Sequence, residues 1–339
     1  MNKSSREKYE SSREPYRKQS LAKDIVFIDG MSGSGKSMIA PLMSSLNRGE
    51  LWLLDHIFEY CLIMYSLGSM SESAAKTLIN IYIDHDSYHL RIGRNVNLRA
   101  SDDSSAQKNG LYELYKKRME GPEGDSIIKL IASEKPINFF MSHYIFRESQ
   151  PLFSALKDRL KLFIVPVRHP YWVIENWMNQ DWDNKMGNSP KDLAMVYKYN
   201  GRVYPWHVKG WEDIYDQLNN FERAIETFKR LYISTDEVKE NFTHNQQEKI
   251  MMISFEKFAT DPHNYLNSIN KHLNTEFTSD TESVMSSMNL PRKIEPTIFS
   301  LKKDEILKKA NREKISSHHK DLLIHLADQY ENEYLKDIL

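Results

Sequence analysis

Ile25-Val26-Phe27-Ile28 is a continuous apolar run bounded by Asp24 and Asp29, the pattern of a strand covered on both faces. It runs into Gly30 and a turn rich in glycine and serine. Beyond the turn Met38, Ile39, Leu42, Met43 and Leu46 recur at helical spacing, predicting strand, tight loop and helix in succession. Leu51–Leu54 reads as a second strand, followed by helical patterns over 57–67 and 72–83 and a polar, irregular segment over 84–109. A helical pattern returns over 111–131, then a strand over 137–141, a helix over 149–160 and a strand over 162–167. After Pro170 the spacing predicts a helix to about 181, a loop rich in asparagine, glycine and aromatics over 182–211, and a long helix over 211–228. A strand over 250–254, a helix opening at Asp261-Pro262 and a helical stripe of Leu322, Leu323, Leu326 and Tyr330 complete the chain. The alternation predicts an α/β fold of three layers, a central and mostly parallel sheet with helices on both faces, with ligands at the carboxyl ends of the strands.

The chain of 339 residues has no internal repeat and no Pro- or Ser-rich linker. It therefore reads as one domain over 24–339, with insertions at about 84–110 and 182–211, behind a polar tail over 1–23 that is either disordered or a surface helix. With 46 basic against 47 acidic residues, no global field draws the chain to nucleic acid or anionic lipid, and any anion site must be local. No uncharged apolar run is long enough for a membrane span. The first 23 residues lack the apolar core of a secretory signal, so a cytoplasmic location is expected. The single cysteine, Cys61, sits in the apolar run Tyr60 to Tyr65; it reads as core and excludes a disulfide framework or an all-cysteine zinc site.

Gly30-Met31-Ser32-Gly33-Ser34-Gly35-Lys36-Ser37 fits GxxxxGK[ST] at every position, between the strand and helix that the motif requires. Glycines let the backbone turn its N–H groups inward, the helix aims its positive end at the same point, and Lys36 adds a mobile charge. This is a P-loop for a phosphorylated ligand. ATP or GTP with magnesium would normally also call for a carboxylate closing a later strand. The candidate strands end instead in Ser142-His143 and Arg168-His169. Asp55, just after the second strand, is the remaining candidate, as an acceptor-binding carboxylate or as the N-cap of the next helix.

The segment Phe163 to Trp177, with Arg168 closing a strand and Asn176 two turns into the following helix, resembles the 3'-phosphate signature of the sulfotransferase family, which uses 3'-phosphoadenosine 5'-phosphosulfate. Asn176 stands where that family has serine. Phe139-Phe140-Met141-Ser142-His143 resembles the family's strand ending in its catalytic histidine, and the spacing from His143 to Arg168 is similar. Ile253 to Pro262 resembles its late strand end and acidic-Pro helix start; there Phe255 suits stacking or packing, and Glu256 the orientation of backbone or a basic side chain. Leu290-Pro291-Arg292-Lys293 is similar to the basic pair that closes over the nucleotide. The resemblance implies a transferase in which Gly30, Ser32, Gly33, Ser34, Gly35, Lys36 and Ser37 hold the 5'-phosphosulfate, with Lys36 also catalytic. Arg168, Asn176, Arg292 and Lys293 would then hold the nucleotide, and His143 would activate a hydroxyl or amine with no metal required. The first loop departs from the family, since Gly33 falls at its usual basic position, and is similar instead to that of adenylylsulfate kinases. A kinase using ATP and magnesium therefore stays open, as does a non-catalytic nucleotide-binding protein.

For the acceptor, a small molecule or a glycan, Arg94 and Asn95 in the polar segment 93–105 and Trp206 among the aromatics after Arg168 are the candidates. Asp84, His85, Asp86 and His89 have ligand chemistry but lack a third strong partner at metal-site spacing, and no metal is expected.

Overall fold

The computed structural model of the chain describes residues 13–338. Its strands are β1 (Asp24–Gly30), β2 (Leu53–Leu54), β3 (Ile137–His143), β4 (Leu160–Val167), β5 (Val196–Tyr199), β6 (Arg202–Pro205) and β7 (Ile250–Ser254). Five of them form one sheet in the order β2-β3-β1-β4-β7, every neighbouring pair parallel, while β5 and β6 form a separate antiparallel hairpin.

The apolar runs explain this sheet. Alternate residues point to opposite faces, and each face has its own core. Ile25, Phe27, Phe140, Phe163 and Val165 enter one; Val26, Ile28, Phe139, Met141, Leu162 and Ile164 enter the other. Phe27 stacks between Phe140 and Phe163 at ring separations of 5.5 and 6.0 Å; fully burying such a side chain contributes about 1.5–3 kcal/mol. The first face is covered by helices including Ile57–Ser66, Glu72–Arg91, Pro170–Asn179, Asn220–Leu231 and Ser317–Tyr330. Lys36–Ser44, Phe255–Thr260 and Pro262–Leu273 cover the second. The result is the three-layer α/β sandwich expected. Among the described residues no helix is long and apolar enough to cross a membrane.

Several boundaries differ from the sequence pattern for local reasons. The second strand keeps only two residues, because the Leu51 amide donates to the Tyr115 hydroxyl and the Trp52 amide to Ser44 Oγ rather than to a ladder. The helix from Glu72 continues to Arg91 through the stretch read as irregular. Its buried stripe of Ile79, Ile83 and Leu90 is interrupted by Asp84, which is satisfied by Arg17, Arg159 and the amides of Leu21 and Ala22. Of the polar tail, residues 1–12 lie outside the described residues; residues 13–23 are neither helix nor strand. The pattern over 111–131 is two helices broken at Gly121-Pro122-Glu123-Gly124. Asn219, in a capping box with Glu222, starts a helix inside the pattern read as continuous over 211–228. The aromatic loop contains the β5–β6 hairpin, and Thr297–Arg312 is a further helix, burying Phe299, Ile306 and Ala310.

The order of strands reverses at β1, whose neighbours β3 and β4 lie on opposite sides. The loop leaving β1 therefore opens into the crevice at the carboxyl edge of the sheet, the place where this architecture binds ligands.

Candidate functional site

The loop Gly30–Ser37 joins β1 to the helix Lys36–Ser44. Gly33 and Gly35 have φ of +84° and +107°, conformations that side chains disfavour. A Cβ on Gly35 would also come within 2.6 Å of the Phe255 ring. No side chain caps the first turn of the helix, so its amide N–H groups and positive dipole end face the loop. Lys36 Nζ, buried, donates to the carbonyls of Gly30 and Met31. Burial pushes its ammonium down to about 8, against the opposing pull of Asp29 and Glu59. Asp29, fully buried, is pushed up to about 6 by burial even though Lys36 and Ser142 favour its charge. Its carboxylate accepts from Ser142 Oγ and from the amides of Ile145 and Phe146. Ser34 Oγ is buried with no partner in the protein, a polar atom aimed into the loop. We expect Gly35→Ala to cost about 1–2 kcal/mol and to weaken phosphate binding, read by denaturant unfolding and phosphate titration. Wild-type values in both would show that the left-handed turn is dispensable.

On one side of the loop stands His143, paired in register with Gly30 at the ends of β3 and β1. Its Nδ1 and its backbone amide each lie 2.9 Å from Glu59 Oε1, and Glu59 Oε2 lies 3.0 Å from His56 Nδ1. Burial alone would raise the Glu59 carboxyl, but the hydrogen bonds from His143 and His56 outweigh it and hold the group down at about 2. Glu59 is thus a carboxylate, which can only accept, so the proton of neutral His143 sits on Nδ1 and the lone pair is on Nε2. Burial pushes the His143 imidazole below its ordinary value of 6.5, Lys36 adds to the push, and Glu59 resists. The arrangement holds a neutral imidazole with Nε2 ready to take a proton.

On the other side stands Arg168, at the end of β4. Its Nη1 donates to the Gly33 carbonyl at 3.0 Å and its guanidinium lies 4.2 Å from the centre of the Phe255 ring. Its Nε is buried without a partner. Arg292 approaches the same ring at 5.8 Å. Behind Arg168, Glu256 Oε1 accepts from the His169 amide at 3.3 Å, and its other oxygen accepts from the Tyr330 hydroxyl. The helix Pro170–Asn179 brings Asn176 against Gly33, 3.0 Å from where a Cβ would stand, and Trp177, whose Nε1 donates to the Ser32 carbonyl.

The crevice thus gathers Lys36, His143, Arg168, Asn176, Phe255 and Arg292 around the loop. Three other expected residues lie elsewhere. Lys293 is exposed and paired with Glu295. Arg94 pairs with Glu123, and Asn95 with His89; both follow Arg91, which is bonded to Glu50 beside the first residue of β3. They therefore lie toward the amino ends of the strands, away from the loop, because the helix from Glu72 runs on to Arg91 instead of ending at 83. Trp206, buried, packs against His207, which stacks on Trp182 and through it on Trp177. Asp55, just past the carboxyl end of β2, accepts from the Ile57 amide at 2.9 Å at the entry to the helix Ile57–Ser66, whose N-cap is His56, and Ser37, at the end of the loop, is exposed. Asp84 faces away from His85 and Asp86 toward the arginines that hold it. Sequence reasoning missed Glu59, His56 and Asp29. A lone glutamate in the apolar run Ile57 to Tyr65 was the available signal for Glu59.

No protein-family model and no curated protein matches the chain. Among solved structures it is similar to a sulfotransferase domain from the curacin biosynthetic pathway, at 13% identity and a TM-score of 0.37, over 94% of this chain and 93% of that one. It is also similar to a sulfotransferase domain from the Synechococcus PCC 7002 olefin synthase, at 15% identity and a TM-score of 0.32, over 94% of this chain and 98% of that one.

Proposed function

We propose that the protein is a sulfotransferase that moves a sulfuryl group from 3'-phosphoadenosine 5'-phosphosulfate to a hydroxyl or amine. The observation that carries this reading is the pair of opposed groups flanking one loop, a buried histidine bonded to Glu59 at the end of β3 and a partly unpaired arginine just past β4. The residues present suit a nucleotide with phosphate at both ends of its ribose. The loop, the helix dipole, Lys36 and Ser34 suit the 5'-group. The free Nε of Arg168 and the Asn176 amide suit a second phosphate, with Phe255 offering a ring face nearby.

His143 Nε2 takes the acceptor proton as the acceptor oxygen or nitrogen attacks sulfur. The bond from sulfur to the bridging oxygen breaks in line, and its electron pair goes to the leaving 3'-phosphoadenosine 5'-phosphate. Negative charge grows on that bridging oxygen, where Lys36 and the loop amides stabilise it more than they stabilise the ground state. Glu59 keeps the imidazole in the correct tautomer and favours the imidazolium that forms. Asp29, whose charge acts on Lys36 more strongly than that of Glu59, is already engaged by Ser142 and two amides, and neither β3 nor β4 ends in a carboxylate.

Calorimetric titration with 3'-phosphoadenosine 5'-phosphate and, separately, with ATP and magnesium tests the assignment. Tighter binding of the first is expected, together with turnover that survives magnesium chelation. Preference for ATP, or turnover abolished by chelation, would replace sulfuryl by phosphoryl transfer.

A further inference from the structure

Away from the crevice, the helix Asn220–Leu231 meets the start of Ser317–Tyr330. Here one ligand atom from each of Glu226, His318 and His319 lies within 4.8 Å of the others. Glu226 and His319 are buried and His318 is exposed. His319 is fixed from behind, with Nδ1 2.7 Å from Ser316 Oγ and 3.3 Å from Glu222 Oε1. The Nδ1 side of the ring is thus engaged by Ser316, and Nε2 is the nitrogen turned toward Glu226.

His319 Nε2 then faces Glu226 Oε1 at 3.6 Å. These are two potential ligand atoms turned toward each other at a distance too long for a hydrogen bond. Glu226 is fixed in the same way: Arg230 pairs with its other oxygen, and the Arg230 guanidinium lies 4.2 Å from the Trp211 ring centre. Outer partners that lock the far side of an imidazole and of a carboxylate are the usual support of a metal centre. Two ligands each roughly 2.0–2.2 Å from a shared zinc ion stand about 3.4 Å apart in tetrahedral geometry, close to the spacing observed. The exposed His318 supplies a third donor and leaves a solvent-facing side for entry.

We propose that Glu226, His318 and His319 bind a divalent transition-metal ion, zinc being the class suited to two imidazoles and one carboxylate. The ion would pin the two helices together. Its effect reaches the crevice through packing: Asn220–Leu231 and Ser317–Tyr330 both rest on Pro170–Asn179, which carries Asn176. Tyr330, at the end of the second helix, bonds Glu256 behind Arg168.

The test uses the full chain, stripped with chelator, freed of it and titrated with zinc chloride alone in a calorimeter, with melting followed in parallel. Zinc is expected to bind and to raise the melting temperature. His318→Ala, an exposed change that leaves the core intact, and Glu226→Gln should each weaken that binding event at least ten-fold and remove the thermal shift. His56→Ala, which alters the only comparable donor group among the described residues, should leave both in place. The proposal is overturned by no zinc uptake, by uptake unchanged in both His318→Ala and Glu226→Gln, or by uptake lost in His56→Ala and kept in His318→Ala. No nucleotide enters the experiment, so its outcome is independent of the reaction assigned to the crevice.

Discussion

Replacing His143 with alanine is expected to lower turnover by about 100- to 10,000-fold while nucleotide affinity stays near wild type. The imidazole touches Glu59 rather than the loop backbone, so its loss removes the proposed proton acceptor and leaves the loop and its proposed phosphate ligands standing. A change confined to kcat is the mark of an interaction made only as the reaction proceeds. The pH profile gives a second reading. A general base works only when neutral, so turnover rises with pH through the His143 pKa until Lys36, held down at about 8, begins to lose its charge. Burial and Lys36 hold that pKa below the ordinary 6.5, so the acid limb of wild type belongs below pH 6.5 and should vanish in His143→Ala. Unchanged turnover under conditions where chemistry limits the rate would remove His143 as the base.

Arg168→Ala should weaken 3'-phosphoadenosine 5'-phosphate by about 2 kcal/mol or more, roughly 30-fold, and spare a nucleotide that lacks the 3'-phosphate. The side chain spends one nitrogen on the Gly33 carbonyl and leaves Nε free, so it has a donor to give without dismantling the loop. Arg168→Lys should restore only part of the affinity, because an ammonium offers no planar fork to a phosphate and stacks less well on Phe255. Equal losses for both nucleotides would mean that Arg168 acts only by bracing Gly33, and the 3'-phosphate assignment would fall.

The sheet and its loop were legible because their information is local. Strands buried on both faces announce themselves as apolar runs such as Ile25 to Ile28, and the loop needs its glycines and Lys36 at fixed spacing. The placement of Arg168 and His143 at one edge was legible for a related reason: each closes a strand, and parallel strands bring their carboxyl ends together. What escaped was side-chain pairing across the fold. Glu59 sits one turn into a helix and reaches His143 across 84 positions of sequence, and no periodicity records that. Arg94 and Asn95 misled because density of polar groups says nothing about which end of a sheet a segment reaches. The helix that carries them past the expected boundary is held by Asp84, a buried polar residue whose partners are also distant in sequence.

The pairing of the central sheet has a kinetic consequence. Asp24 aligns with Ile137 and Val167 with Ser254, so no strand of this sheet finds its neighbour within a short stretch of chain. Closing such long loops before any pairing rewards them makes folding slow. Synthesis proceeds at about 5–20 residues per second, so β1 emerges many seconds before β7. During that interval β4 offers a bare edge where β7 will later pair, and Arg168 lacks Phe255. A nascent chain halted before residue 250 should therefore present an aggregation-prone strand to the ribosome's surroundings, and the second half of the proposed nucleotide pocket should be among the last parts of the molecule to exist.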